Sequence, residues 1–103
     1  MKTLGSSIEF EWDEGNIDKN WVKHKVLNKE IEEVFFCNNR FIFKDELHSQ
    51  KEKRLRDFGI TKNKRKLLVI FTQRREKIRA ISARDMNKKE MQFYEKKINT
   101  TTV

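Results

Sequence analysis

Two polar residues near the middle of the chain, His48 and Glu52, carry side chains suited to acid–base catalysis, and Arg54 beside them could hold a phosphate. His48 is a candidate general acid or base because an unperturbed imidazole titrates near neutrality. Basic neighbours favour the ionised form of Glu52, which could therefore accept a proton from a hydroxyl such as a ribose 2′-hydroxyl. His48 and Glu52 each have a structural alternative. His48 could be an exposed loop residue without a role, and Glu52 could form a surface salt bridge worth under about 1 kcal/mol.

A second group of candidates lies in the last predicted strand. A two-residue period divides its side chains between two faces, with Ile78, Ala80, Ser82 and Arg84 on one and Arg79, Ile81 and Ala83 on the other. Arg84 and Ser82 could hold a phosphate through a guanidinium fork and a hydroxyl. Arg79 interrupts an apolar face and is expected to be paired or to lie at a rim. The alternative for each arginine is simple solvation at a strand end.

Lys23 and His24 form a third candidate pair in the first predicted helix. The spacing of His24 from Ile17 and Trp21 places all three on one helical face, which we expect to be buried. A core histidine with satisfied hydrogen bonds is therefore favoured over a catalytic one.

The cationic charge is concentrated in one half of the chain. Residues 51–84 contain thirteen Lys or Arg and three acids, a local net charge of +10, whereas the whole chain of 103 residues carries +8. Strand-like apolar runs interleave with these basic residues, which indicates an ordered basic sheet and not a disordered tail. Such a surface predicts a polyanionic partner, most simply nucleic acid.

The length predicts a single domain, assigned to residues 8–98, with a flexible leader at 1–7 and a tail at 99–103. No apolar run reaches the roughly 18 residues of a membrane span, so no membrane partner is expected. The single cysteine, Cys37, suits a reducing cytoplasm and packing in place of a nucleophilic role. One Cys and two His leave no ligand set for structural zinc, and no metal or cofactor is predicted, although a carboxylate metal site stays open.

These residues are positioned by an α+β domain in the predicted order β-α-α-β-β-β-β-α, a small antiparallel sheet with helices packed on one face. Asp13 is the expected N-cap of the first helix, and Asn28 that of the second. Short connections in the second half predict an antiparallel meander. Asn87 and Glu90 have the spacing of a capping box that begins the third helix.

Ordered blocks across about 85 residues resemble the BrnT family of type II toxins, which share the RelE-like ribonuclease fold. The matching blocks are Phe10-Glu11-Trp12-Asp13, Asn20 with Lys23-His24, Asp45 with His48-Ser49, Glu52 and Arg54, Gly59, Leu67 to Ile70 with Thr72, Ile78-Arg79, Ser82-Ala83-Arg84, Glu90 and Tyr94. Two departures are Lys25, where the family often has Gly, and the strongly basic stretch of residues 62–66, which lacks a Gly often seen there.

The resemblance implies a cytoplasmic toxin that cuts RNA and is silenced by a BrnA-like, DNA-binding antitoxin, with operator DNA contacted only through the antitoxin complex. On this hypothesis the enzyme is a metal-independent endoribonuclease. Its catalytic residues are His48, Glu52, Arg54, Arg79 and Arg84, and its substrate-binding residues are Lys23, His24, Arg56 and Ser82. Two alternatives remain: a nucleic-acid-binding module without catalysis, and an interaction domain whose basic face meets an acidic protein.

Overall fold

The computed structural model describes residues 8–45 and 52–101. In this part of the chain the elements are β1 (Glu9–Phe10), α1 (Lys19–His24), α2 (Asn28–Val34), β2 (Phe41–Lys44), β3 (Arg54–Ile60), β4 (Lys66–Arg74), β5 (Lys77–Asp85) and α3 (Lys88–Thr101). The α+β class is confirmed. The leader at 1–7 and His48 lie outside the described residues, and α3 includes residues 99–101 of the segment assigned to the tail. None of these helices is long and apolar enough to cross a membrane.

The five strands form one sheet in the order β1-β5-β4-β3-β2. Strands β2 to β5 make the expected antiparallel meander, but β1 pairs with β5 in parallel, so the prediction of a wholly antiparallel sheet is wrong at this edge. A tight hairpin would have enforced antiparallel pairing. Instead α1 and α2 carry the chain from β1 to β2 at the opposite edge, which leaves the direction of β1 free to be set by packing.

Helices pack on both faces of the sheet, which corrects the prediction that they lie on one. Alternate residues of β4 enter two different cores: Leu67 packs with Ile31 and Val34 of α2, whereas Leu68 packs with Tyr94 of α3. The continuous apolar run of β4 requires this arrangement, because a central strand with two apolar faces must be covered on each. The face under α3 is called the α3 face below.

Helix α1 lies against the free edge of β5 through amide side chains. Asn20 Oδ1 accepts a hydrogen bond from the Ala83 backbone N–H at 3.0 Å, beyond the end of the short strand β1. Asn20 is buried, whereas the predicted buried face is not: Trp21 is 43% exposed and His24 is also exposed. The expectation of a buried His24 is therefore wrong, because this short helix satisfies an open strand edge with polar groups instead of burying an apolar stripe.

The helix caps differ in part from expectation. Helix α1 begins after Asp18, so Asp13 does not cap it. Helix α2 begins at Asn28 itself, whose side chain pairs with Asp18, while Glu30 accepts a hydrogen bond from the Leu27 N–H at 3.0 Å. The side chain of Leu27 has no acceptor, so Glu30 provides the cap at this end of the helix.

Candidate active site

The α3 face carries polar and cationic residues in two adjacent cross-strand rows. The registers of β3, β4 and β5 align Arg54 with Thr72 and Arg79 in one row, and Arg56 with Ile70 and Ser82 in the next. Side chains directly opposite in neighbouring strands share a face. With strands about 4.8 Å apart, the backbones of Arg54 and Arg79 are separated by about 10 Å. Four of the predicted site residues therefore meet on one surface.

A β-bulge in β5 creates this arrangement. Ile70 pairs with Ser82 and Phe71 pairs with Ala80, which leaves Ile81 without a partner in the ladder. The extra residue shifts the alternation of side chains by one position, so that Arg79, before the bulge, lies on the same face as Ser82, after it. The prediction that Arg79 and Ser82 occupy opposite faces is therefore wrong, since a strict two-residue period holds only in an unbroken strand.

An ion-pair network runs across the end of the sheet and joins Glu52 to Arg79. Arg74 contacts Glu52 through Nε at 3.2 Å and Glu11 through Nη1 at 3.3 Å. Glu11 also accepts a hydrogen bond from Arg79 at 3.2 Å. Arg79 completes the network with a two-point contact to Asp13, at 2.7 and 3.0 Å. Glu52 and Arg79, two predicted catalytic residues, are thus connected by Arg74 of β4 and by Glu11, the residue after β1.

The network stabilises the charged forms of Asp13, Arg74 and Arg79. The hydrogen bond from Arg79 holds the pKa of Asp13 below its usual value, and Asp13 raises the pKa of Arg79. Glu52 likewise raises the pKa of Arg74. Arginine side chains are cationic at physiological pH in any case, so the main effect of the network is to favour the carboxylate form of Asp13.

The turn that presents Asp13 is held by a buried asparagine. Asn16 Oδ1 accepts the Asp13 N–H at 2.8 Å, and Asn16 Nδ2 donates to the Ala80 carbonyl at 3.1 Å. Gly15 allows Arg79 to approach, because a Cβ at position 15 would lie 2.8 Å from Arg79 Nη2. Local hydrogen bonds and one glycine therefore position the carboxylate against Arg79.

Arg84 lies one row further along the α3 face, aligned with Leu68 and Phe58. Glu90 binds both terminal nitrogens of Arg84, at 2.7 and 2.9 Å. Glu90 also accepts the Asn87 N–H while Asn87 accepts the Glu90 N–H, both at 2.8 Å, which confirms the predicted capping box. The start of α3 is thus attached to β5 through Arg84.

Lys23 and His24 lie away from the Arg54 and Arg79 row on the α3 face. They end α1, and the carbonyl of His24 accepts a hydrogen bond from Arg65 at 3.2 Å. Arg65 also binds Asp85, the last residue of β5, at 2.6 Å. Arg79 is six residues earlier in β5, so the structure does not bring Lys23 and His24 to the Arg79 row.

A comparison with protein-family models matches residues 12–90 to the family described as the ribonuclease toxin, BrnT, of type II toxin–antitoxin systems. The chain belongs to the BrnT family. The match covers most of the chain and includes the network residues Asp13, Glu52, Arg74 and Arg79. Membership makes the chain a type II ribonuclease toxin, with RNA as its substrate class and an antitoxin protein as its partner. Curated proteins yielded no significant match in a sequence search.

In this BrnT-family chain, three members of the network are not among the predicted site residues: Glu11, Asp13 and Arg74. Arg74 is the last residue of β4 and contacts Glu52. Glu11 directly follows β1 and bridges Arg74 and Arg79. The alternation of Phe10, Glu11 and Trp12 signalled a carboxylate on a strand, but no local pattern could show which strand it would pair with.

His48 lies outside the described residues, and the residues on either side of its connection bind next to the Arg54 row. The Asp45 N–H donates to the Arg54 carbonyl at 2.8 Å, and the Thr72 hydroxyl donates to the Lys53 carbonyl at 2.8 Å. The connection between β2 and β3 therefore leaves and rejoins the sheet beside the Arg54 row. Within residues 8–45 and 52–101, no group of three or more His, Cys, Asp or Glu side chains could hold a metal ion.

Proposed function

We propose that this toxin is a metal-independent endoribonuclease of the RelE-like kind, which cleaves RNA by attack of a ribose 2′-hydroxyl on the adjacent phosphate. The observation that carries the proposal is the alignment of Arg54 with Arg79, and of Arg56 with Ser82, on the α3 face. Glu52 adjoins these rows through Arg74. Cationic forks, a hydroxyl and a carboxylate on one surface are the groups that phosphoryl chemistry on RNA requires.

The arginines would bind the reacting phosphate. Arg54 and Arg79 flank Thr72 and could contact non-bridging oxygens from two sides, where negative charge increases in the transition state. Asp13 and Glu11 hold the Arg79 guanidinium in a fixed orientation before RNA binds. An entering phosphate would share or replace the Asp13 contact, since both ligands use the same guanidinium fork.

Glu52 or His48 would act as the base. The base removes the 2′-hydroxyl proton, the 2′-oxygen bonds to phosphorus, and the bond from phosphorus to the 5′-oxygen breaks. The other residue of the pair would give a proton to that 5′-oxygen, so that products carry 2′,3′-cyclic phosphate and 5′-hydroxyl ends. General acid–base catalysis of this kind contributes on the order of 10²–10⁴-fold. Lys23 and His24 would transfer no proton, because they end α1, where the His24 carbonyl binds Arg65, and Arg65 pairs with Asp85 at the end of β5 away from Arg79.

The antitoxin would be a BrnA-like, DNA-binding protein whose acidic segment covers the basic α3 face. Residues 51–84, with their net charge of +10, include both arginine rows, so a negatively charged segment would be attracted there. The complex would act in the cytoplasm and repress its own operon, with DNA contacted through the antitoxin.

The test is incubation of purified toxin with a defined single-stranded RNA in EDTA, followed by mapping of the product ends. We expect cyclic-phosphate ends, with cleavage strongly reduced in Glu52→Ala, His48→Ala and Arg54→Ala proteins. Arg75→Ala is a matched control, because Arg75 is an exposed turn residue next to Arg74. Cleavage that EDTA abolishes would contradict metal independence. Intact RNA that still binds in a salt-dependent way would favour a nucleic-acid-binding module without catalysis.

A further inference from the structure

An aromatic pocket adjoins the arginine rows on the α3 face. It has a volume of about 420 Å³, within the range of small-molecule sites. Its lining residues come from β2, β3 and α3, and are Phe43, Arg56, Phe58, Lys89, Glu90 and Phe93. The pocket is called the Phe93 pocket below.

Three phenylalanine rings form the apolar part of the Phe93 pocket. The centroids of Phe43, Phe58 and Phe93 are 5.5 to 5.9 Å from one another, in edge or tilted contacts. Phe58 is buried, but Phe93 remains 41% exposed although it belongs to this cluster. An accessible ring supported by two others is a rigid platform on which a flat molecule can stack.

Arg56 connects the Phe93 pocket to the arginine rows. It is the direct cross-strand neighbour of Phe43 on one side and of Ile70 on the other, in the same row as Ser82. Its guanidinium lies 5.9 Å from the centre of the Phe58 ring. Among the described residues, no acceptor reaches its buried Nε. Because this Nε is itself inaccessible, a contact from Arg56 to a ligand would come from its terminal nitrogens.

The polar groups around the rings suit a nucleobase better than an aliphatic ligand. Arg56 and Lys89 are donors for ring nitrogens and carbonyl oxygens, and Glu90 is an acceptor on the same rim. A nucleobase offers both kinds of group at the edge of a flat π-surface, and stacking of bases on aromatic side chains is a general mode of single-strand recognition. We infer that the Phe93 pocket binds one nucleobase of the RNA, the base next to the phosphate held by the arginine rows.

This inference rests on the proposed ribonuclease function, so its test separates binding from cleavage. The probe is an oligonucleotide with 2′-deoxyribose throughout, which lacks the attacking hydroxyl, and with 2-aminopurine at one position. Fluorescence of 2-aminopurine is quenched when the base stacks. The cleavable RNA of the same sequence gives the cut site, and the analogue is then placed at each position in turn.

We expect wild-type protein to quench most strongly when the analogue adjoins the cut site. Phe93→Ala should abolish that position-specific quenching and weaken binding about 10-fold, in the range known for loss of one base stack. Phe93→Trp should retain both the position-specific quenching and the binding affinity. Phe36→Ala is the matched control, because Phe36 is also an exposed phenylalanine but contacts Phe10 on the other face of the sheet. The Phe36→Ala protein should bind the probe as wild type does.

Unchanged quenching and affinity in Phe93→Ala, together with normal cleavage of RNA by wild type, would overturn the inference that the Phe93 pocket binds a nucleobase. The proposed ribonuclease function would still hold. Failure of wild type both to bind the probe and to cut RNA would overturn the function, and the pocket with it. Should Phe93→Ala not fold, as judged by circular dichroism, Phe93→Leu keeps the apolar volume without the π-face. Normal quenching in a folded Phe93→Leu protein would also overturn the inference.

Discussion

Asp13 binds both terminal nitrogens of Arg79, at 2.7 and 3.0 Å, and thereby attaches the turn after β1 to the α3 face of β5. The contact joins residues 66 positions apart in sequence. It also gives a basic residue of the site an acidic ligand in the absence of RNA. The guanidinium is therefore oriented in advance, and an RNA phosphate bound there, as proposed above, would compete with Asp13 for it.

Replacing Arg79 tests its proposed phosphate contact. Loss of one transition-state donor lowers rates by about 10²–10³-fold in comparable sites, and we expect kcat/KM of Arg79→Ala to fall by that amount. Arg79→Lys should recover only part of the activity, because an ammonium cannot make the two-point contact. The measurement is cleavage of a defined RNA, with Arg75→Ala as the charge-matched control. Normal activity in Arg79→Ala would contradict the assignment.

Gly15→Ala tests whether the orientation of Arg79 matters. The new Cβ would lie 2.8 Å from Arg79 Nη2, at the flexible end of the side chain, so the guanidinium should move while the fold remains. Small displacements of catalytic groups can reduce rates strongly, and we expect a loss of about 10-fold in kcat. The melting temperature should match that of Glu14→Ala, an exposed neighbour. A large drop in melting temperature with unchanged kcat would show a purely structural role.

Glu90 should stabilise the fold in a pH-dependent way. Arg84 lowers the pKa of Glu90, so the folded state favours the ionised carboxylate. A depressed folded pKa gives stability that is present above the unfolded pKa, near 4.5, and is lost as pH falls through the folded pKa. Glu90→Gln should therefore cost about 1 kcal/mol at pH 7 and progressively less under acidic conditions.

Urea denaturation of wild type and Glu90→Gln at neutral and acidic pH measures this difference. Glu14→Gln, an exposed acid in the turn after β1, serves as the control for the loss of one charge. An equal cost of Glu90→Gln at both pH values would refute the ion-pair explanation.

Arg40 should be essential for stability mainly at neutral pH. Its Nε contacts the fully buried carboxylate of Asp57 at 2.9 Å, and burial raises the pKa of Asp57 to about 6 in spite of Arg40. Because the folded pKa of Asp57 is raised, the contribution of Asp57 to stability is greatest below its unfolded pKa, near 3.8, and is lost as the pH rises through about 6.

Arg40→Met would leave an unpaired buried charge above that pH, with a cost of about 3–5 kcal/mol. The cost should shrink near pH 4–5, where protonation neutralises Asp57. Chemical denaturation across this range measures it, and the double variant Arg40→Met with Asp57→Asn should recover stability at neutral pH. A cost for Arg40→Met that does not depend on pH would contradict the argument.

A side chain at position 59 should destabilise the folded state. A Cβ there would lie 2.7 Å from Val34 Cγ1 and 3.1 Å from Cys37 Sγ, where α2 packs on β3. Overpacking of this kind typically costs about 1–3 kcal/mol, and we expect Gly59→Ala to lower the free energy of unfolding accordingly. The double variant with Val34→Ala should restore part of the loss. Full stability of Gly59→Ala alone would show that α2 can shift.

Local sequence determined those features that depend on neighbouring residues. The alternation of β3 places Arg54, Arg56 and Phe58 on one face, and the spacing of Asn87 and Glu90 predicts the cap of α3; the structure confirms both. These features follow from the two-residue period of a strand and the first turn of a helix. Ordered residue blocks also identified the BrnT family, because a family pattern is a property of the sequence itself.

Tertiary structure decided which of these residues meet. The bulge at Ile81 brings Arg79 to the face of Ser82, and the parallel pairing of β1 with β5 brings Glu11 and Asp13 to Arg79. Strand register and direction depend on contacts between segments more than 60 residues apart, such as the bond from Asn16 to the Ala80 carbonyl. A periodic pattern orients a side chain only relative to its own strand, so it could predict the candidate residues but not the network that joins them.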